Sequence, residues 1–129
     1  MNIRPFLMFQ GDASNAIAFY EKVVPGTHVV QIEHYDATGP GLEGTVKIAT
    51  LSLAGQEVMI FNSYVSHEFD FTPAFSFFVT CATPAEVEAL AGRLAEGGRV
   101  LMPLGEYGFS RKFAWVEDRF RVSWQINLP

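Results

Sequence analysis

The sequence predicts an α+β fold made of two βαβββ modules in tandem, and three observations carry that prediction. Segments with strand and helix character recur in one order (strand, helix, strand, strand, strand), first over residues 1–63 and again over 74–129. The helix starts Asp12 and Thr83 and the helix-ending glycines Gly26 and Gly97 keep one spacing (83 − 12 and 97 − 26, both 71), as a duplicated unit would. In the last strand Val122, Trp124 and Ile126 alternate with Ser123, Gln125 and Asn127, so a period of two gives it one apolar and one polar face. One such module alone would leave a sheet face bare, so the 129 residues are expected to form a single domain from both.

Ile3 to Phe9 is a short apolar run that suits a strand, with Pro5 near its start where a missing N–H is tolerated. Gly11-Asp12 turns the chain, and Asp12 is a good N-cap. Ala13, Ala16, Ile17, Tyr20 and Val24 fall at helical spacing, which predicts an amphipathic helix over 13–24 that Pro25-Gly26 stops. Thr27 to Tyr35 is the next strand, followed by a turn-rich segment over 37–44. Thr45 to Leu53 and Gln56 to Asn62 are strands joined by the tight hairpin Ala54-Gly55.

A loop over 63–73 leads to the strand Phe75 to Cys81. Thr83-Pro84-Ala85-Glu86 then combines a capping box with proline at the first helical position. Val87, Leu90, Ala91 and Leu94 form the apolar stripe of this second helix, which Gly97-Gly98 ends. Arg99 to Met102 reads as a strand and Pro103 to Gly108 as a loop. Two runs rich in β-branched and aromatic residues flank Asp118-Arg119-Phe120-Arg121 and close the chain as a hairpin.

Composition narrows the function classes. An apolar fraction of 49% with twelve Phe describes an ordered globule. A net charge of −5 with no basic cluster argues against nucleic acid as a partner. No apolar run approaches the roughly 18 residues of a membrane span. The start, Met-Asn-Ile-Arg-Pro-Phe, lacks the layout of a signal peptide, so the cytoplasm is the expected location. The lone Cys81 sits in an apolar run, where an inert buried thiol outweighs a nucleophile.

Other candidate residues stand singly. His28 and His34 fall on one face of a strand with Val30 and Ile32 between them, about 20 Å apart, too far to share a metal. Glu33 and Tyr35 take the other face, and His67 has no acid or thiol at a motif spacing. Arg111, Lys112 and Tyr107 flank a loop, either as solvated groups or as a rim for an anionic ligand. Phe69, Phe71, Phe75, Phe77, Phe78 and Phe109 are open to two readings, a ligand cage or a core and dimer interface.

At this level the chain resembles a known family. Two βαβββ units, Ala18-Phe19-Tyr20 in the first helix and the closing Asp118…Val122-Ser-Trp-Gln-Ile126 are similar to the vicinal oxygen chelate superfamily, which includes glyoxalase I, extradiol dioxygenases and bleomycin-resistance proteins. Met102-Pro103-Leu104-Gly105 and Phe113-Ala-Trp-Val-Glu-Asp-Arg-Phe with Ser-Trp-Gln resemble its PhnB-like branch, whose members often carry the label demethylubiquinone 3-methyltransferase-like. The resemblance covers essentially the whole chain. It implies a curved, cup-shaped mixed sheet of the glyoxalase/bleomycin-resistance kind with a small-molecule ligand inside, and a homodimer.

Metal-dependent members place one ligand on the first and last strand of each module, and the resemblance carries those positions to Pro5, Met59, Ser76 and Gln125. Only Gln125 offers an ordinary oxygen donor there, and a neutral one, so neither a metal nor another cofactor is expected. The ligand-binding positions that follow are Pro5, Leu7, Phe9, Met59, Ser76, Ser123, Gln125 and Tyr107. The implied function is small-molecule binding without the usual metal site. The alternatives are a superfamily lyase, isomerase or oxygenase, a protein that sequesters a drug or metabolite, or an interaction module.

Methyl transfer is not expected, because the chain lacks a glycine-rich strand-to-helix turn and is short for a doubly wound nucleotide domain. Arg121 stands where the family pattern has glycine. Either the turn has changed shape or this chain tolerates the strain.

Overall fold

The computed structural model describes residues 1–129, and its elements follow the predicted order. They are β1 (Phe6–Phe9), α1 (Ala13–Val23), β2 (His28–His34), β3 (Val46–Leu53), β4 (Gln56–Asn62), β5 (Ser76–Thr80), α2 (Pro84–Ala95), β6 (Arg99–Tyr107), β7 (Ser110–Glu117) and β8 (Ser123–Leu128). Two units, Met1–Glu68 and Phe69–Pro129, each hold one βαβββ set. Each builds a four-stranded mixed sheet, ordered β1-β4-β3-β2 in the first and β5-β8-β7-β6 in the second. The last strand of each unit is thus central, parallel to the first and antiparallel to the third.

Period-two patterning sorts each sheet into two faces. In the first unit Leu7, Phe9, Ala49, Leu51, Val58 and Ile60 are buried, together with Ala13, Ala16, Ile17, Tyr20 and Val23 of α1. In the second, Ala114, Val116, Trp124 and Ile126 are buried with Val87, Leu90, Ala91 and Leu94 of α2. Each large apolar side chain removed from water contributes about 1.5–3 kcal/mol, so these helix-covered faces are what hold the units together. The opposite face of each sheet carries no helix. No helix of the chain is long and apolar enough to cross a membrane.

The helix ends explain where the two units diverge. Thr83 caps α2, accepting a hydrogen bond from Glu86 N at 3.2 Å, with Pro84 at the first helical position. Asp12 stands at the start of α1 but its side chain makes no cap. There the turn is tied to β4, because Gly11 N donates to Asn62 Oδ1 at 2.8 Å. Gly97, at a φ of 74°, follows α2, and Gly98 lies so close to the backbone of Glu117 and Asp118 that a Cβ would strike it.

Two local expectations are corrected, and the alternative left open at Arg121 is settled. Residues 103–107 are strand, because β6 runs on to Tyr107 with register shifts on either side of Gly105, and only Gly108 lies in the turn. β6 is an edge strand, so Pro103 forfeits no ladder bond that the sheet needs. In β2 the register slips at Val30, so Gln31 and Glu33 pair opposite Thr50 and Ile48 while His28 pairs opposite Ser52. That bulge moves Glu33 onto the face of His28 and sends Ile32 to the other. Finally, Arg121 keeps the glycine conformation of the last turn, at a φ of 70°.

Candidate functional site: the helix-free face of the second unit

The polar face foreseen in β8 lies at the centre of the second sheet. Ser123 pairs opposite Ser76 of β5 and Glu117 of β7, Gln125 opposite Phe78 and Trp115, and Asn127 opposite Thr80 and Phe113. Four of these side chains form one hydrogen-bonded chain. Trp115 Nε1 donates to Ser123 Oγ at 2.8 Å, Ser123 Oγ and Ser76 Oγ are 2.6 Å apart, and Gln125 Nε2 donates to Ser76 Oγ at 3.3 Å.

Proton directions follow from burial. Ser123 is only 1% exposed and already accepts from Trp115, so its own hydrogen goes to Ser76, the one acceptor beside it. Ser76 then accepts twice, and its hydroxyl hydrogen is left for a group outside the protein. Gln125 keeps its carbonyl oxygen and one N–H uncommitted. Farther along, Asn127 is 9% exposed, and its Oδ1 is buried without a hydrogen-bond partner.

Several polar groups near this face already have partners within the unit. Glu117 pairs with Arg99 at 3.0 Å, Lys112 pairs with Glu88, and Arg111 Nε donates to the Pro129 carbonyl at 2.6 Å. Tyr107 gives its hydroxyl hydrogen to the Pro103 carbonyl at 2.7 Å, and its ring stacks on Phe109 at 5.7 Å. Of the rim residues Arg111, Lys112 and Tyr107, the last two already have partners, while Arg111 keeps its remaining guanidinium N–H groups. Beneath the sheet's loop end, burial and then the neighbouring Glu86 raise the Cys81 thiol above its ordinary pKa, which keeps it protonated and unreactive at neutral pH.

In the first unit the expected lining positions shift by one residue. Leu7 and Phe9 are 5% and 3% exposed and belong to the helix-covered core, and Pro5 precedes β1 in the same phase. Phe6 and Met8 are the β1 residues that pair opposite Met59 and Phe61. The cause is the uncapped turn after β1: equal spacing of the helix starts does not carry into the strand, and a one-residue slip exchanges the faces. Met59 N donates to the Pro5 carbonyl at 2.8 Å, and a groove of about 200 Å³ on this face is lined by Arg4, Gln31, Glu33, Ile48, Thr50 and Met59.

The superfamily's metal can be tested against these donors. The first unit supplies a carbonyl at Pro5, whose side chain is in the wrong phase, and a thioether at Met59. The second supplies a hydroxyl and an amide that are bonded to each other. No three His, Cys, Asp or Glu residues gather as a metal-holding group. Divalent metals of this superfamily want imidazole and carboxylate, so the residues present do not fit one.

A mixed sheet in each of two βαβββ units, with two helices, is a fold of the glyoxalase/bleomycin-resistance kind. The fosfomycin resistance protein FosX of Listeria monocytogenes shares the fold at a TM-score of 0.69 and 11% identity, over 100% of this chain and 93% of that one. The chain belongs to the 3-demethylubiquinone-9 3-methyltransferase family, whose model matches residues 1–127. A putative 3-demethylubiquinone-9 3-methyltransferase, PhnB protein, from Bacillus cereus is 49% identical over 100% of both chains, with a TM-score of 0.94. Protein YjdN of Escherichia coli K12 is 22% identical over 99% of this chain and 95% of its own length.

Proposed function

We propose that this protein binds a small organic molecule on the helix-free face of its second unit, and that it does so without a metal. The observation that carries the reading is the bonded chain Trp115–Ser123–Ser76–Gln125, which leaves a hydroxyl hydrogen and half an amide unspent. The fold does not need these groups, since the matching positions of the first unit, Phe6 and Phe61, hold a ring stack. Small-molecule sites combine apolar surfaces with a few placed polar atoms, and Phe78 and Trp115 flank Gln125 on the neighbouring strands.

Methyl transfer is outside this proposal. The strand-to-helix turns Gln10-Gly11-Asp12 and Cys81-Ala82-Thr83 hold at most one glycine each, unlike the turns that cradle nucleotide-type cofactors. With Phe6, Phe69, Phe75, Phe78 and Phe109 each more than half exposed, we also propose a homodimer, which a sedimentation mass near 14.3 kDa would exclude.

A thermal-shift screen over metabolites and metal ions tests the binding reading, because a ligand at 100 times its Kd adds about 2.7 kcal/mol. The expected result is an organic compound that raises the melting temperature of the wild type and fails to do so in Gln125→Leu. Chelators should leave the melting temperature unchanged. A hit that Gln125→Leu still binds, or a stoichiometric metal found by elemental analysis, would overturn the proposal.

A further inference from the structure

Asn127 is the one residue of the polar row that the hydrogen-bonded chain does not reach. It lies in the central strand between Thr80 and Phe113, nine-tenths buried, with its Oδ1 unpartnered. A buried amide oxygen without a partner is rare in folded proteins, because it forfeits its bond to water. Folding does not account for it. It sits two residues beyond Gln125, so the two carboxamides stand about 7 Å apart on one face. A half-turn about the Asn127 Cβ–Cγ bond exchanges its oxygen and nitrogen, so either amide atom can be turned towards a ligand.

The surroundings limit what that ligand can be. Of the charged side chains nearby, Glu117 is paired with Arg99 and Lys112 with Glu88, while the exposed Arg111 gives its Nε–H to the Pro129 carbonyl. An ammonium entering here would lose its hydration and meet no free carboxylate, and a carboxylate would have only the exposed Arg111 at the end of the row to pair with. The unspent groups are a Ser76 hydroxyl hydrogen and two carboxamides, which between them donate and accept. Beside them Phe78 and Phe109 present rings that are 60% and 63% exposed, surfaces on which a flat ring system stacks.

We propose that this face selects an uncharged, planar aromatic ligand with a hydrogen-bond donor and an acceptor on one edge, as in an aromatic amide or lactam, held by Asn127, Gln125 and Ser76. This rests on the binding reading above and specifies its ligand class. Asn127 is then kept unpaired in the free protein because its partner is the ligand.

Three matched probes test the class on the full chain labelled with 15N: benzamide, N,N-dimethylbenzamide and benzoate. The side-chain amides of Gln125 and Asn127 and the Trp115 indole N–H report binding at this face. Benzamide should shift all three and bind about tenfold or more tightly than the dimethyl amide, which lacks the donor, or the benzoate, which is charged. Asn127→Leu should weaken benzamide about tenfold without lowering the melting temperature, since it removes an unpaired polar group. Gln125→Met, at a partly exposed position, repeats the test should the leucine variant fail to fold. Benzoate binding as tightly as benzamide through the same three signals would overturn the ligand class and leave the binding site standing. No shift at this face with any probe up to its solubility limit would overturn both.

Discussion

The two units are built to one plan and differ at matching places. Phe6 and Phe61 of the first occupy the register positions of Ser76 and Gln125 in the second. The first pair stacks ring on ring at 5.7 Å, and the second makes a hydrogen bond of 3.3 Å. On the helix-covered faces no such contrast exists, since Val58 and Ile60 answer to Val122 and Trp124 as apolar fillers. Packing against a helix constrains one face to be apolar, while the other can change its chemistry without disturbing the fold. The proposed binding rests on this difference, which lies on the face that the core does not need.

The turns differ as well. β3 and β4 are joined by Ala54 and Gly55, both in left-handed conformations, at φ of 50° and 96°. β7 and β8 are joined by a longer turn around the Asp118 carboxylate, which is 2% exposed. It accepts from Phe120 N at 2.8 Å, Val122 N at 3.1 Å and Trp124 Nε1 at 2.9 Å. Asp118→Ala strands these donors in the core and should cost about 3 kcal/mol or more. Urea denaturation measures it, and a loss below about 1 kcal/mol would mean that the second turn is no more anchored than the first.

A smaller effect separates Thr27 from Gly98, which follow the two helix-ending glycines. Thr27 has room for its side chain and accepts from Ala54 N at 3.1 Å, whereas Gly98 abuts the backbone of Glu117. Gly98→Ala should therefore destabilise by about 2 kcal/mol through overpacking against main chain that cannot yield. Thr27→Ala should cost about 1 kcal/mol or less. Equal losses in thermal melts would remove this asymmetry between the units.

The smallest expected effect is a gain. Arg121→Gly relieves a left-handed φ of 70° and should stabilise by up to about 1 kcal/mol, partly offset by the freer unfolded chain. Its exposed pair with Asp70 at 3.5 Å is worth little against that. A lower denaturation midpoint for the glycine variant, at unchanged slope, would show that Arg121 is comfortable where it is.

Most of the fold was legible because its signals are local. The Thr83 capping box, the apolar stripe of α2 and the alternation in β8 each depend on residues within one element. What escaped depends on the neighbours of a strand. Pro103 and Gly105 read as loop because nothing in the sequence says that β6 lies at an edge, and the Val30 bulge leaves no mark on composition. The slip that put Leu7 and Phe9 on the wrong face came from taking Asp12 as an equal of Thr83. The turn before α1 is held instead by Asn62, fifty-one residues away. Ser123 and Gln125 were readable from alternation and Ser76 from the family resemblance, but the Trp115 bond that orients their protons needs three strands side by side.

The strand order carries one more consequence, for the way the protein is made. A ribosome delivers each unit from its first strand to its last, yet the last strand is the one that seats beside the first. Until Gln56–Asn62 has emerged, β1 has no neighbour in its sheet, and β5 waits in the same way for Ser123–Leu128. Neither half can complete itself by adding strands in turn at one side. Contacts so distant along the chain slow folding and leave apolar strand edges uncovered meanwhile. On that account the nascent first unit is most exposed to chaperones and to misassociation just before β4 is synthesised, and its escape from that state is a single closing event.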